Sequence, residues 1–441
     1  MTAIAQQLEA LLTPQQVIDW SQLAPATTDR IQQAIAAETQ LPCVVYPQSE
    51  AELAAIVAHA DRDRWRLLPM GQASKLGWGG LAAGVDVIVS TARLNRLLNH
   101  AVGDLVMTAE AGLSFAALQT TLQVTQQFLA IDPTYPDEAT LGGIVATADT
   151  GALRQRYNSV RDMLIGIRFV RHDGEIVKAG GKVVKNVAGY DLMKLLTGSY
   201  GSLAIISQVT FRTYPLPETS QTVLVTGELG AIAQLCQTVK ASVLTPASLD
   251  LLSSQLLTQL GYSAPAGLAV RFQTIQAGVT SQVEQLEALS HKSDLQTHRL
   301  SHPDEAQLWQ QIQAQLWPSA GDRTHTVGCK LGIPPAKAAE LLQLIDQSNR
   351  AELLAAGRIQ AGSGLGSLRL TGAITADLLR QVRSRCEALG GFLSILEAPP
   401  QLKQQVETWG YTGNALPLMR QLKQQFDPQS ILSPGRFISG L

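Results

Sequence analysis

At 441 residues, the chain is longer than the ~250–300 residues at which one hydrophobic core usually stops growing, so two domains are expected. Its net charge of −2 and its lack of a basic run argue against binding to nucleic acid. The four cysteines lie far apart, which excludes the clustered spacing of a zinc or iron–sulfur site within this chain, and no metal is predicted. The N-terminus lacks a secretory-signal pattern, and no run approaches the ~18 apolar residues of a membrane helix. We therefore expect a soluble, cytoplasmic protein with no direct membrane span.

The first part of the chain alternates short strands with helices. Residues 1–37 have the spacing of a helical segment. Ser49 can cap a helix over residues 50–62, because Glu52 stands three residues further on, in the spacing of a capping box. Apolar strands are predicted at residues 42–45, 66–69, 85–90 and 105–109, and a glycine-rich loop at residues 70–80. This alternation indicates an α/β or α+β domain.

Beyond residue 165 the pattern favours a sheet. Strands over residues 166–171 and 175–178 flank Asp173 and Gly174, a dipeptide typical of a tight hairpin. A helix is predicted over residues 190–196. A further strand ends where Pro215 and Pro217 interrupt the chain, and we place a domain boundary there. The predicted organisation is a helical segment at residues 1–37, domains at 38–217 and 218–395, and a C-terminal segment at 396–441.

The glycine loop after the second strand could bind a pyrophosphate. Consecutive backbone N–H groups in such a loop can converge on an anion, and Ser74 would add a hydroxyl donor. The alternative is a plain surface loop. Neither the spacing of a phosphate-binding Walker loop nor a dinucleotide-binding GxGxxG motif is present.

Two further segments could also face an anion. Thr140 can cap a short helix whose first turn contains Gly142 and Gly143, and free N–H groups at such an end attract negative charge. The alternative is a close contact between helix and strand. Arginines of the 154–162 segment, including Arg161, could hold a phosphate or carboxylate, or could form an ion-paired surface turn with Asp162.

The order of these motifs resembles a known flavoprotein family. The glycine loop is followed by ATLGG, RQRYNSVRD, VVKNVAGYDL and a terminal ILSPGRF. This order resembles the FAD-binding domain of the vanillyl-alcohol oxidase superfamily, also called the PCMH type, and within it the FAD-binding E subunits of glycolate oxidase. The resemblance implies an α+β fold: a PCMH-type FAD-binding domain of two α+β subdomains, followed by a smaller α+β cap domain. The lysines of the VVKNVAGYDL region then become surface or subunit-facing charges rather than phosphate ligands.

The resemblance also implies a set of residues for non-covalent FAD, since no His or Cys occupies the glycine loop. Gln72-Ala73 stands where relatives have a second close glycine, and Ser202-Leu203-Ala204 replaces their TLG, so looser FAD retention is expected. The implied FAD-binding residues are, around the pyrophosphate, Met70, Gly71, Gln72, Ala73, Ser74 and Lys75; along the flavin and phosphates, Pro136, Thr140, Gly142, Gly143, Ala146 and Thr147; the pair Arg161 and Asp162; on the adenosine side, Gly201, Leu203 and Ile206; and, from the C-terminal segment, Arg436.

The implied function is that of an FAD-binding subunit in a glycolate or D-lactate dehydrogenase complex. A catalytic flavoprotein subunit and an iron–sulfur subunit would be separate chains, and they would bring this chain to the inner face of a membrane. The metal-binding HxGDGNxH motif of catalytic relatives is absent and the later histidines are dispersed, so no catalytic residue is assigned. Two alternatives remain open: a self-sufficient FAD-dependent D-2-hydroxyacid dehydrogenase, and a non-catalytic scaffold that has lost FAD.

Overall fold

The computed structural model describes residues 3–36, 43–183, 189–319 and 325–441. The chain divides into two compact units. The first unit comprises Met1–Thr150, Ser159–Leu216 and Tyr411–Leu441, and the second comprises Gly151–Asn158 and Pro217–Gly410.

The α-helices and β-strands of the described residues follow in chain order. The helices are α1 Ala3–Glu9, α2 Pro25–Gln32, α3 Glu50–Asp63, α4 Phe115–Gln123, α5 Leu141–Thr147, α6 Arg154–Tyr157, α7 Val160–Met163, α8 Leu192–Leu196, α9 Leu229–Ala241, α10 Ser254–Gln259, α11 Gln276–His291, α12 Asp304–Leu316, α13 Ala338–Asp346, α14 Ala376–Ala388, α15 Pro400–Gln405 and α16 Leu416–Phe426. The strands are β1 Val17–Ile18, β2 Cys43–Val45, β3 Leu67–Met70, β4 Val87–Ser90, β5 Leu97–Ala101, β6 Val106–Glu110, β7 Gln127–Phe128, β8 Leu164–Val170, β9 Ile176–Gly180, β10 Ile205–Arg212, β11 Tyr214–Pro215, β12 Thr219–Gly227, β13 Ser248–Ser253, β14 Ala266–Thr274, β15 Gln296–Ser301, β16 Thr326–Gly332, β17 Leu353–Gln360, β18 Leu365–Gly372 and β19 Phe392–Glu397.

The first unit contains two main sheets. A four-stranded sheet has the order β1-β2-β4-β3, with β2, β4 and β3 parallel. Its strands are apolar on both faces, as parallel strands buried on both sides require. Val87 and Val89 of β4 pack into one apolar cluster, while Ile88 packs into another on the opposite face. An antiparallel five-stranded sheet follows, in the order β5-β6-β10-β8-β9.

Local signals in the sequence match two of these elements closely. The Ser49 hydroxyl accepts the backbone N–H of Glu52 and begins α3, as predicted. The Glu52 carboxylate, however, accepts from the Gln48 backbone N–H rather than closing a capping box on Ser49. The predicted hairpin is also present: β8 and β9 pair in antiparallel register across Asp173 and Gly174.

Gly180, at the end of β9, opens the VVKNVAGYDL region. It has a φ of +69°, and a side chain there would place its Cβ 2.3 Å from the Ile165 carbonyl oxygen, so only glycine fits. Lys182 extends from this turn to Asn99 of β5, with Nζ 3.1 Å from Oδ1. Residues 184–188, including Lys185, lie outside the described residues. The helix predicted over residues 190–196 begins at Leu192, as α8.

The second unit is an antiparallel eight-stranded sheet in the order β15-β12-β14-β13-β17-β18-β16-β19. Alternate residues of its strands face a large apolar core that is shared with helices α9, α11, α13 and α14. The segment Gly151–Asn158 belongs to this unit, because the Gly151 carbonyl accepts from Gln360 Nε2 at 2.5 Å and α6 packs on β13. Antiparallel sheets with helices in both units confirm the predicted α+β class.

The C-terminal residues return to the four-stranded sheet of the first unit. Leu67 donates its N–H to the Ile431 carbonyl at 2.7 Å and accepts the Ser433 N–H at 2.8 Å, so the tail runs beside β3. Gly80 then donates to the Arg436 carbonyl at 3.1 Å. The tail therefore lies against the loop that follows β3.

Candidate functional site

A cleft in the first unit contains about 710 Å³ of empty space, part of which is open to solvent. The loop after β3, the helix α5, the segment before β10 and the C-terminal tail form its walls. The expected FAD-binding residues that line it are Met70, Gly71, Gln72, Ala73, Ser74, Lys75, Thr140, Gly142, Gly143, Ala146, Thr147, Gly201, Ile206 and Arg436.

Gly71 brings the loop against α5. A side chain at this position would place its Cβ 2.1 Å from Thr140 Oγ1, so the close approach requires glycine. The start of the loop is held from β4 as well: Ser90 Oγ donates to the Gly71 carbonyl at 3.0 Å, and Thr91 Oγ1 donates to the Met70 carbonyl at 3.3 Å. The loop therefore leaves the sheet in a fixed direction.

The middle of the loop presents a row of backbone donors. The N–H groups of residues 72–75 donate to no acceptor within the part of the chain that the structure describes. Ala73 lies in the left-handed region with a φ of +62°. Alternation of right- and left-handed residues is how successive N–H groups are turned towards one anion. These donors lie in the wall of the cleft and match the predicted pyrophosphate loop.

Lys75 has its charge neutralised within the protein. Its Nζ lies 2.7 Å from Asp149 Oδ2, and the two side chains are only 4% and 10% exposed. Asp149 also accepts the Thr134 N–H at 2.8 Å, and the ammonium lies 5.5 Å from the centre of the Trp78 ring. The side chain thus lines the cleft while its charge is paired with Asp149.

The N-terminus of α5 differs from the predicted anion site. Thr140 Oγ1 accepts the Gly143 N–H at 3.3 Å, and the Ala111 carbonyl accepts the Gly142 N–H at 2.7 Å. These two donors are therefore engaged within the protein. A Cβ on Gly142 would lie 2.8 Å from the Ala111 Cβ, so the glycine also serves the close packing that the sequence left as the alternative.

Arg436 supplies a buried cation from the C-terminal tail. Its Nη2 donates to the carbonyl oxygens of Leu76 and Trp78, at 2.5 and 3.0 Å. Burial lowers the pKa of this guanidinium to about 10, so it remains charged at neutral pH. The arginine fastens the second half of the loop and at the same time lines the cleft.

Four expected residues are not among those that line this cleft. Arg161 is exposed on the four-residue helix α7, and the Asp162 carboxylate accepts from the backbone N–H of Ser159 at the start of that helix. Pro136 is half-buried, and Leu203 is buried outside the cleft lining. Arg161 and Asp162 therefore resemble the surface turn that the sequence left open.

Six other residues that line the cleft were not predicted from the sequence. Thr91 reaches the cleft because Met70 of β3 pairs with Ser90 of β4, and this register could not be read from the sequence. Tyr200 stands beside the predicted Gly201, and adjacency alone could have suggested it. The lining residues not predicted are Pro69, Leu76, Thr91, Tyr200, Ala204 and Ile205.

The described residues contain no group of three or more His, Cys, Asp or Glu side chains placed to hold a metal ion. Within the same residues, none of the helices has the length and hydropathy needed to cross a lipid bilayer.

Comparison with protein families identifies the cofactor. Residues 41–180 match the family model of an FAD binding domain, and residues 402–437 match that of the C-terminal domain of FAD linked oxidases. The structure resembles p-cresol methylhydroxylase with a TM-score of 0.74 and 14% identity, over 98% of this chain and 96% of that chain. The chain has the PCMH-type FAD-binding fold, and its cofactor is FAD. An alkyldihydroxyacetonephosphate synthase has the same fold, with a TM-score of 0.74 and 15% identity over 98% of this chain and 86% of that chain.

Sequence relatives include subunits and enzymes that act on 2-hydroxy acids. The glycolate oxidase subunit GlcD of Bacillus subtilis is 24% identical over 90% of this chain and 88% of that protein. The glycolate oxidase subunit GlcE of Escherichia coli is 35% identical over 37% of this chain and 47% of that protein. A mitochondrial D-lactate dehydrogenase of Arabidopsis thaliana is 31% identical over 40% of this chain, and the match spans 31% of its length. FAD-linked oxidoreductases are thus the proteins this chain is similar to.

Proposed function

We propose that this chain is the FAD-binding subunit of a complex that oxidises glycolate or D-lactate to the corresponding 2-oxo acid. The observation that carries the proposal is the row of N–H groups at residues 72–75, held in a cleft whose α5 wall contains the small residues Gly142, Gly143 and Ala146. The names of GlcD and GlcE, both glycolate oxidase subunits, support the substrate class and membership of a complex. We propose that a catalytic flavoprotein subunit is one of its other members. We further propose an iron–sulfur subunit in the same complex and a peripheral position at the inner face of a membrane.

The residues of the cleft suit the parts of FAD that they would hold. The N–H groups of residues 72–75 would donate to pyrophosphate oxygens, and the Arg436 guanidinium would add positive charge nearby. Gly142, Gly143 and Ala146 would leave room for a flat group beside α5. When bound, FAD supplies a hydride acceptor for the C–H bond of a hydroxy acid.

A base for the substrate hydroxyl is the missing part of this site. Hydride removal from a hydroxy acid requires a group that takes the hydroxyl proton. Of the later histidines, His291, His302 and His325 are exposed, and His298 packs on the Tyr262 ring at 4.9 Å. None of these four positions suggests a proton acceptor beside the cleft, and we propose that a partner subunit supplies the base.

One specific observation favours a second candidate. The Arabidopsis relative is named as a D-lactate dehydrogenase and not as a subunit, which supports a self-sufficient FAD-dependent D-2-hydroxyacid dehydrogenase as the alternative proposal.

Flavin spectroscopy separates these candidates. The purified chain is expected to carry a visible flavin absorption that anaerobic glycolate or D-lactate does not bleach. Bleaching is expected once the chain is co-purified with its partner subunits. Bleaching of the isolated chain would instead establish the stand-alone dehydrogenase. A colourless protein that takes up no added FAD would contradict both candidates.

A further inference from the structure

Lys75 lies in the glycine-rich loop at residues 70–80, which we call the FAD loop. It forms a buried ion pair with Asp149. The pair joins residues 74 positions apart in the chain. Lys75 belongs to the loop itself, whereas Asp149 follows α5, and both Asp149 oxygens have further partners: Oδ2 accepts the Thr134 N–H at 2.8 Å, and Oδ1 accepts Thr134 Oγ1 at 3.3 Å. The loop is therefore tied to two other segments of the first unit.

The geometry separates the lysine charge from the backbone donors. With its ammonium 2.7 Å from a carboxylate and its side chain 4% exposed, Lys75 has little unneutralised charge to offer a phosphate. The N–H groups of residues 72–75, by contrast, have no acceptor within the described residues. Their direction depends on the loop backbone, whose later half Arg436 holds through the Leu76 and Trp78 carbonyls.

We propose that Lys75 and Asp149 are positioning residues for FAD: their ion pair fixes the loop so that its N–H groups converge on the pyrophosphate, and the lysine is not itself a phosphate ligand. This inference rests on the FAD site of the proposed function. Loss of the pair lowers the fraction of protein whose loop can bind FAD. The apparent Kd for FAD rises in inverse proportion to that fraction.

Asp149→Asn is the decisive variant, because the two roles of Lys75 predict opposite results. If the pair positions the loop, both Asp149→Asn and Lys75→Met raise the Kd for FAD by about tenfold, which corresponds to a drop of the binding-competent fraction to about a tenth. The Kd of the double variant for FAD should then be no higher than that of the single variant with the higher Kd, since both changes remove the same contact. If Lys75 is a phosphate ligand, Asp149→Asn releases its charge and FAD binds as tightly as before or more tightly, which would overturn the proposal.

The Kd is measured by titrating apoprotein with FAD and following the quenching of flavin fluorescence. Glu397→Gln is the matched control: it breaks a buried ion pair of similar exposure, Arg369 with Glu397 at 3.0 Å, in the second unit. This control is expected to lower the unfolding temperature without changing the Kd. An equal change in Kd from Glu397→Gln would assign the effect to general destabilisation and contradict the proposal.

A second readout needs no cofactor and separates this inference from the proposed function. In apoprotein, amide hydrogen exchange is measured at Leu76 and Trp78, whose N–H groups donate to Ala73 and Lys75 within the loop. Asp149→Asn is expected to accelerate exchange at both amides, and Glu397→Gln to leave it unchanged. Unchanged exchange in Asp149→Asn would refute the positioning role, even if the wild-type chain proved unable to bind FAD and the proposed function had failed.

Discussion

Gly71 is the residue on which the shape of the FAD loop depends most directly. Gly71→Ala places a Cβ 2.1 Å from Thr140 Oγ1, so either the loop or the start of α5 must move. We expect a loss of about 1–3 kcal/mol in the free energy of unfolding, the usual cost of overpacking a close contact. Urea denaturation measures this loss, and FAD titration should show weaker binding because both displaced segments line the cleft.

Two variants calibrate this prediction. Gly77→Ala is the control, because the nearest atoms to its Cβ would be 3.9 Å away. Thr140→Ala added to Gly71→Ala removes the clashing Oγ1 and should restore part of the FAD affinity. Equal effects of Gly71→Ala and Gly77→Ala would show that the approach to Thr140 does not matter.

At the scale of single residues, the motif resemblance anticipated many of the residues that line the cleft, but not their interactions. The glycine loop, Thr140 and Arg436 all line the cleft, because the motif order places them. The sequence could not show that Lys75 pairs with Asp149, since that contact joins distant parts of the chain. Ala73 stands where relatives have a second glycine. Its φ of +62° is left-handed, a conformation that costs a non-glycine residue about 1–2 kcal/mol, which agrees with the expectation of looser FAD retention.

At the scale of elements, Lys423 connects α16 to the C-terminal tail. Its buried ammonium donates to Asp427 Oδ2 at 2.6 Å and to the carbonyl oxygens of Ser202 and Leu432, both at 2.8 Å. Burial lowers the pKa of Lys423, because it removes the ammonium from water. The three acceptors offset this desolvation cost. Lys423→Met leaves the Asp427 charge without its cation, and we expect a loss of about 3–5 kcal/mol in the free energy of unfolding.

Thermal unfolding and urea denaturation test this expectation beside Lys194→Met. Lys194 also pairs with an aspartate, Asp191 at 2.8 Å, but both side chains are about half exposed. Removing that exposed pair should cost no more than about 1 kcal/mol. A Lys423→Met protein as stable as Lys194→Met would mean that the tail is held by its backbone contacts alone.

Element prediction succeeded where the signal is local. Ser49 begins α3 and Asp173-Gly174 turns the β8–β9 hairpin, because a cap and a tight turn depend on a few adjacent residues. The helix α8 begins two residues later than predicted, at Leu192, because Asp191, a residue type favoured at the N-cap, stands immediately before its first turn. The motif resemblance implied that Arg436 returns to the FAD-binding domain, but neither it nor any local pattern predicted the pairing of the tail with Leu67.

For the whole molecule, Asp250 gives stability a definite dependence on pH. Its side chain is fully buried in β13, with Arg358 Nε 3.6 Å from Oδ2. Burial raises the pKa of Asp250 to about 6, against a smaller lowering by Arg358. The folded state therefore binds the proton more tightly than the unfolded state, whose aspartates have a pKa of about 3.9. The contribution to stability is present below pH ~4 and is lost as pH rises through about 6, by roughly 3 kcal/mol in all.

Asp250→Asn removes this ionisation. The stability of the variant relative to wild type should therefore rise by roughly 3 kcal/mol between pH 4 and pH 8, as measured by urea denaturation at each pH. Asp377→Asn, whose carboxylate is 81% exposed, is the control and should show no comparable trend. A relative stability of Asp250→Asn that falls with pH would show that Arg358 stabilises the charged carboxylate more than burial opposes it.

Alternating strand and helix periodicities left the class of the whole chain open between α/β and α+β, and the family resemblance implied the α+β class. The assignment of each segment to one of the two units could not be predicted. Gly151–Asn158 follows α5 in sequence, yet its contacts with Gln360 and β13 place it in the second unit. Short polar turns carry no periodicity that reveals which core they pack on.

The return of the C-terminal tail to β3 has a consequence for biosynthesis. β3 and the FAD loop are synthesised early. Ile431, Ser433 and Arg436, which contact them, are synthesised only after the second unit has emerged from the ribosome. The nascent FAD-binding unit thus lacks a strand-like neighbour and a loop clamp throughout most of translation. Cofactor capture should accordingly be a post-translational event, and a stalled chain that ends before residue 431 should emerge without flavin.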